Sequence, residues 1–107
     1  MYNPTMDTLN ILKAISNESR MQILYWLKNP HEHFHAHTQK EVDLEKVGVC
    51  VSQITKKLNM TQSTVSQYLA ILQRADLLHA TRIGKWTYYR RNEEVIKQFG
   101  LFMLNEL

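Results

Sequence analysis

The sequence has one cysteine, two prolines and three glycines. A single cysteine excludes an intramolecular disulfide, which favours a reducing compartment. No apolar run approaches the roughly 18 residues that a membrane span needs. The N-terminus lacks a basic region followed by an apolar block, so no secretory signal is expected. Together these features place the expected site of action in the cytoplasm. The three glycines are scattered, and no glycine-rich phosphate cradle is present. No nucleophile stands beside a base and its orienting partner, and no carboxylate pair suggests a cleft, so an enzyme is not expected.

With 107 residues there is room for one domain, residues 1–107. Charged residues make up 21% and hydrophobic residues 44% of the chain, as in ordinary globular proteins. The charge is unevenly placed. Between Val49 and Arg91 stand seven basic residues and one acid, Asp76, a net +6. The segments before and after carry −1 and −2. The basic excess lies wholly in that middle segment, as a polyanion-binding face requires.

The same segment carries the clearest pattern. Val51, Ile54 and Leu58 predict one short helix, and Val65, Leu69 and Leu72 a second. Asn59-Met60 breaks them, and Thr61 stands where an N-cap belongs. Gln62, Ser63, Thr64, Ser66 and Gln67 are left facing outward at the start of the second helix. Short uncharged side chains of this kind reach base edges: glutamine pairs with adenine, and serine or threonine serves several bases. This is a helix-turn-helix over about 51–75. Leu77–Arg82 and Trp86–Arg91 are then rich in β-branched and aromatic residues, with Gly84 in the turn between them. A hairpin following a recognition helix is a wing, here about 77–91, with Arg82 and Lys85 at its tip as expected phosphate contacts.

The run T-Q-S-T-V-S-Q-Y-L-A-I-L-Q-R-A-D-L-L followed by R-I-G-K-W-T-Y-Y-R resembles the ArsR (ArsR/SmtB-type) family of winged-helix repressors. The upstream I-L-K-A-I-S-N-E-S-R-M-Q-I-L is similar to that family's first two helices. The resemblance covers most of the chain apart from the middle loop and the C-terminal tail. It implies a mainly α fold of about five helices with a two-stranded wing. It also implies a homodimeric repressor on an inverted-repeat DNA operator, usually released by an inducer. In metal-sensing relatives the helix start at Cys50 carries Cys-Val-Cys. Here it reads Cys50-Val51-Ser52, so the second thiolate of an arsenic or cadmium site is missing. The last helix has no histidine, so the zinc site that other relatives place there is absent too.

The flanking helices complete the expectation. Met6, Leu9 and Leu12 mark an apolar face on a helix over about 6–16. Val95, Phe99, Phe102 and Met103 mark another over about 93–107. That is more apolar surface than a terminal helix of a small monomer needs, and the resemblance implies that these two helices form the dimer interface. Asn17 is expected to cap a helix over about 18–28 that carries Met21, Ile23, Leu24, Tyr25 and Leu27, most of them packed in the core. Residues 31–48 are unusual. His31, His33, His35 and His37 alternate, and in an extended strand all four would share one face, where zinc, nickel or copper could bind. The alternative is a solvated insert held to the body by Phe34 and Leu44. No cofactor is otherwise expected. A winged helix used to bind another protein is the competing functional class, and the +6 segment argues against it.

Overall fold

The computed structural model describes residues 7–35 and 42–107. Asp7 opens helix α1 (Thr8–Ile15) by accepting a hydrogen bond from the Asn10 N–H at 3.0 Å. Its inward face is Thr8, Ile11 and Ala14, while Leu9 is 62% exposed. Asn17 caps α2 (Glu18–Lys28) as expected, accepting from Arg20 N at 3.0 Å. The Arg20 side chain turns back onto the end of α1, donating to the carbonyls of Ala14 at 2.5 Å and Lys13 at 3.3 Å. The last carbonyls of a helix run short of intrahelical donors; Lys13 O also takes the Ser16 N–H at 3.4 Å, and the arginine adds the remaining bonds and ties the end of α1 to α2.

Most of the apolar residues of α2 were expected in the core: Ile23, Leu24 and Leu27 are buried there, while Met21 and Tyr25 are 50% and 64% exposed. The apolar residues of α2 run around more than one face, and only one face meets the core. Asn29-Pro30 ends α2 but also starts a short helix, α3 (Pro30–His33), closed by Phe34 N–H donating to Pro30 O at 2.8 Å. Proline at the first helical position loses nothing, because that N–H has no helical acceptor. His31 and His33 are therefore two positions apart on a helical turn, not alternate residues of a strand, and cannot share a face with His35 as expected. The His33 ring lies 5.7 Å from that of Tyr25. The His35 carbonyl accepts from Gln53 Nε2 at 2.6 Å. His37 lies outside the described residues, as does Met6.

The chain returns at Val42. Asp43 Oδ1 accepts from the N–H groups of Glu45 at 2.8 Å and Lys46 at 2.9 Å. The Lys46 and Glu45 backbone bonds hold its carboxyl below the usual aspartate range. Gly48 then takes φ +124, which brings strand β1 (Val49–Cys50) alongside the later hairpin. β1 runs directly into α4 (Val51–Leu58), and Asn59 ends that helix in the left-handed conformation, φ 56 and ψ 45, which asparagine tolerates. Thr61 caps α5 (Gln62–Arg74). The hairpin is β2 (Leu78–Ile83) and β3 (Trp86–Arg91), turning at Gly84 with φ 61. The sheet is antiparallel in the order β1-β3-β2, with Val49 opposite Tyr89 and Leu78 opposite Arg91. The final helix, α6 (Glu93–Glu106), is capped by Asn92.

The described residues thus form six helices and a three-stranded sheet, against the five helices and two strands expected. The additions are α3, started by Pro30, and β1, admitted by Gly48. The main core gathers Ile11 and Ile23 with Ile54, Val65, Leu69, Leu72 and Leu77. A second cluster forms on the other face of the sheet, where Tyr88 and Cys50 are wholly buried with Val42. Cys50 is a packed residue whose sulfur accepts from Ser52 Oγ at 3.3 Å. The alternation of strand side chains explains the division: Trp86 and Tyr88 face the second cluster, while Tyr89 packs on the main core. No described helix is long and apolar enough to cross a membrane.

Candidate nucleic-acid interface

Helix α5 owes its position to its own apolar stripe. Val65, Leu69 and Leu72 have no exposed surface, so burying them turns the opposite side of the helix outward. At roughly 1.5–3 kcal/mol for each buried aliphatic side chain, that stripe outweighs any preference of the polar residues. Gln62, Ser63, Ser66 and Gln67 are exposed on the outward side, with Thr61 just before them. Thr64 is half-buried and tied to the cap. The Thr61 hydroxyl donates to Thr64 Oγ1 at 2.9 Å and accepts from Thr64 N at 3.2 Å.

The turn of the wing holds two cations. Arg82 is exposed and donates from Nε to the Gly84 carbonyl at 3.0 Å. Lys85 is exposed, with Nζ 5.4 Å from the centre of the Trp86 ring. These contacts orient the two side chains at the tip and leave their charges uncompensated by any carboxylate among the described residues. Burial pushes the phenols of Tyr88 and Tyr89 above their ordinary value. Both therefore stay neutral near pH 7 and subtract nothing from the basic face. Lys57 is directed elsewhere: its ammonium lies 5.2 Å from the Trp26 ring and 5.6 Å from that of Phe34. Lys56 is exposed.

Two residues that position this surface were not singled out from the sequence. Asn92 is buried where the wing meets α6. Its amide donates to Asp76 O at 3.0 Å, its Oδ1 accepts from Val95 N at 3.3 Å, and its N–H donates to Leu77 O at 2.9 Å. One residue, through its side chain and its backbone N–H, thereby joins the end of α5, the base of the wing and the start of α6. An asparagine just before Glu93-Glu94 and an apolar run was a readable cap signal. Arg20 lies over the Tyr68 ring, 5.5 Å from its centre, and so ties the first two helices to α5. Its long-range partner gives no local sequence signal.

The expected self-association faces are only partly covered within the chain. Leu12, Val95, Phe99, Phe102 and Met103 are half-buried, and α6 has no fully buried residue. Leu9, Leu101 and Leu104 are exposed. Among the groups of His, Cys, Asp and Glu side chains in the described residues, none gathers three in metal-binding range. His31 faces one carboxylate oxygen of Glu45 at 3.5 Å.

This arrangement has counterparts. The family model described as bacterial regulatory protein, arsR family, matches residues 44–80. The uncharacterized HTH-type transcriptional regulator YbzH of Bacillus subtilis is 56% identical over 95% of this chain and 100% of its own length. The transcriptional repressor SdpR of the same organism is 29% identical over 90% of this chain and 88% of its own. Among solved structures, the homodimeric winged helix-turn-helix DNA-binding domain of Mb0332 from Mycobacterium bovis superimposes with a TM-score of 0.63 and 28% identity. That superposition covers 90% of this chain and 74% of the other. A helix-turn-helix with a wing, the arsR family model matched across it, and a relative 56% identical over its whole length lead to one conclusion: the chain belongs to the ArsR family of bacterial transcriptional regulators.

Proposed function

We propose that the chain is a cytoplasmic, homodimeric repressor that binds an inverted-repeat operator in duplex DNA and acts by occupying it, with no catalytic step. Residues 1–107 form its single winged helix-turn-helix domain. The observation that carries this reading is the exposed, uncharged side of α5 in one domain with two exposed cations, Arg82 and Lys85, at the turn of the wing. Ser63, Thr64 and Gln67 read bases, with Thr61, Gln62 and Ser66 closer to the backbone. Arg82 and Lys85 neutralise phosphates. The partly covered apolar faces of α1 and α6, and the homodimeric state of the Mycobacterium bovis domain, support a two-fold dimer. One recognition helix covers few base pairs, and a dimer places a second one about 34–36 Å away, one DNA turn on.

The phosphate role is tested by salt. Arg82→Ala and Lys85→Ala should each weaken binding to all duplexes alike. Each should also lower the slope of log affinity against log salt by about one per lost contact. Slopes that match the unaltered protein in both variants would remove the wing from the interface. Salt-independent binding by the unaltered protein would instead favour a protein partner.

The base-reading role is tested by specificity. Gln67→Ala should cost roughly 1–3 kcal/mol at one base pair and relax the preference there. Competition between operator and random duplex measures it directly. A specific-to-random ratio equal to that of the unaltered protein would show that Gln67 does not read a base.

A further inference from the structure

The closed end of α5 and the start of α6 meet at Asn92. The Asp76 N–H donates to Gln73 O at 2.9 Å and the Leu77 N–H to Leu72 O at 3.0 Å. That closure places one residue in the left-handed conformation, and Asp76 takes it with φ 65. Glycine usually fills such a position, because a Cβ makes it costly. The Asp76 carbonyl receives the Asn92 side-chain amide at 3.0 Å, and Leu77 O receives the Asn92 backbone N–H at 2.9 Å. On its other side Asn92 starts α6: Oδ1 accepts from Val95 N at 3.3 Å and the carbonyl from Ile96 N at 3.1 Å. Asn92 is only 8% exposed, so a bond lost here is not simply returned to water.

Beyond its start, α6 rests on half-covered packing. The helix has no buried residue, and Val95, Ile96, Phe99 and Phe102 lie half-buried against the main core. Apolar contacts of that kind are non-directional and let a helix swing, whereas a hydrogen bond weakens steeply when it is bent. The Arg91–Glu93 pair links near neighbours in the chain and does not reach α5. We infer that Asn92 is a positioning residue for operator recognition: its bond to Asp76 O sets the angle between α5 and α6, and with it the half-site spacing that the dimer accepts.

The angle matters because the two helices have separate tasks. In the proposed dimer α5 reads bases and α6 lies at the two-fold face, so the inference rests on that reading. α5 has 13 residues, which puts its base-reading start about 20 Å from its closed end. A tilt of about 10° toward or away from the two-fold axis moves that start by roughly 3.5 Å, about one base-pair step. Symmetry applies the same tilt to the partner subunit, so the error in spacing doubles. A firm joint therefore makes one spacing strongly preferred, and a loose one does not.

The test uses an inverted-repeat duplex selected by the unaltered chain from a random-sequence pool, the same duplex with its spacer one base pair longer or shorter, and a single half-site. The unaltered chain should prefer the selected spacing by at least about tenfold. Asn92→Asp keeps an oxygen for Val95 N but, ionised, has no N–H for Asp76 O. Asn92→Ser is an uncharged cap that also lacks the amide, and it decides the matter if Asn92→Asp does not fold. In both variants the preference should fall to about threefold or less. Sedimentation should show the same dimer, and the single half-site should be bound within about twofold of the unaltered chain. Asn17→Ala loses a cap of similar value at the start of α2 rather than at the joint, and should keep the full preference. A full preference in both Asn92 variants, or an equal loss in Asn17→Ala, would overturn the inference. An unaltered chain that binds the three spacings alike would refute the two-fold repressor reading itself, before any variant is made.

Discussion

Replacing Phe99 and Phe102 together by alanine should turn a dimer into a monomer that no longer protects its operator at concentrations where the unaltered chain does. Both rings are half-buried on α6, a helix with no fully buried residue. They lean on the main core, yet Leu101 and Leu104 on the same helix stay exposed. A helix that is apolar on more than one face needs a second surface. Two-fold symmetry uses each ring twice. If about half of each ring's burial belongs to the interface, four rings contribute roughly 3–6 kcal/mol. Their loss would raise the dimer dissociation constant about 10²–10⁴-fold. Sedimentation measures this, and circular dichroism shows whether the variant keeps its helices. An unaltered chain that sediments as a monomer at micromolar concentration, yet protects a full inverted repeat, would refute the dimer account.

Gly48→Ala should be the most damaging change of a single atom group. Gly48 has φ +124, a conformation that L side chains rarely adopt. A Cβ there would lie 2.5 Å from the Tyr89 carbonyl carbon and 2.9 Å from the Tyr89 nitrogen. These are backbone atoms of the central strand, which β2 holds from its other side across six residue pairs. Relief therefore means withdrawing β1, and with it the entry to α4. Strain and lost pairing together should cost about 2–4 kcal/mol, lowering the unfolding midpoint by roughly 10–20 °C. Thermal unfolding measures it. A midpoint within about 3 °C of the unaltered chain would mean that β1 is not held as described.

The two variants also separate two kinds of information. The helix-turn-helix was readable because its determinants are neighbours in the chain. The Thr61 cap acts on Thr64 three residues on, the Val65–Leu69–Leu72 stripe repeats within one helix, and Gly84 sits inside the turn it permits. Such contacts hold wherever the segment is placed. Asn17, acting on Arg20, belongs to the same group. The histidine run is different, because its geometry depends on a backbone conformation that the run itself does not set. Alternation at 31, 33 and 35 is a strand pattern only if the backbone is extended, and Pro30 had already committed that backbone to a helical turn.

From sequence alone came the reading unit, its polar face, the basic excess around it and the apolar character of both terminal helices. Each depends on residues within a few positions of one another, where backbone geometry fixes which side chains share a face. Tertiary structure decided the rest. It alone turned Met21 and Tyr25 outward, because which side of α2 meets the core depends on helices far along the chain. It alone made Val49–Cys50 a strand, because Gly48 was required by the Tyr89 backbone 41 positions away. And it alone left Arg90 Nε buried without an acceptor. Burial and pairing are properties of the whole packed chain, and no local pattern encodes them.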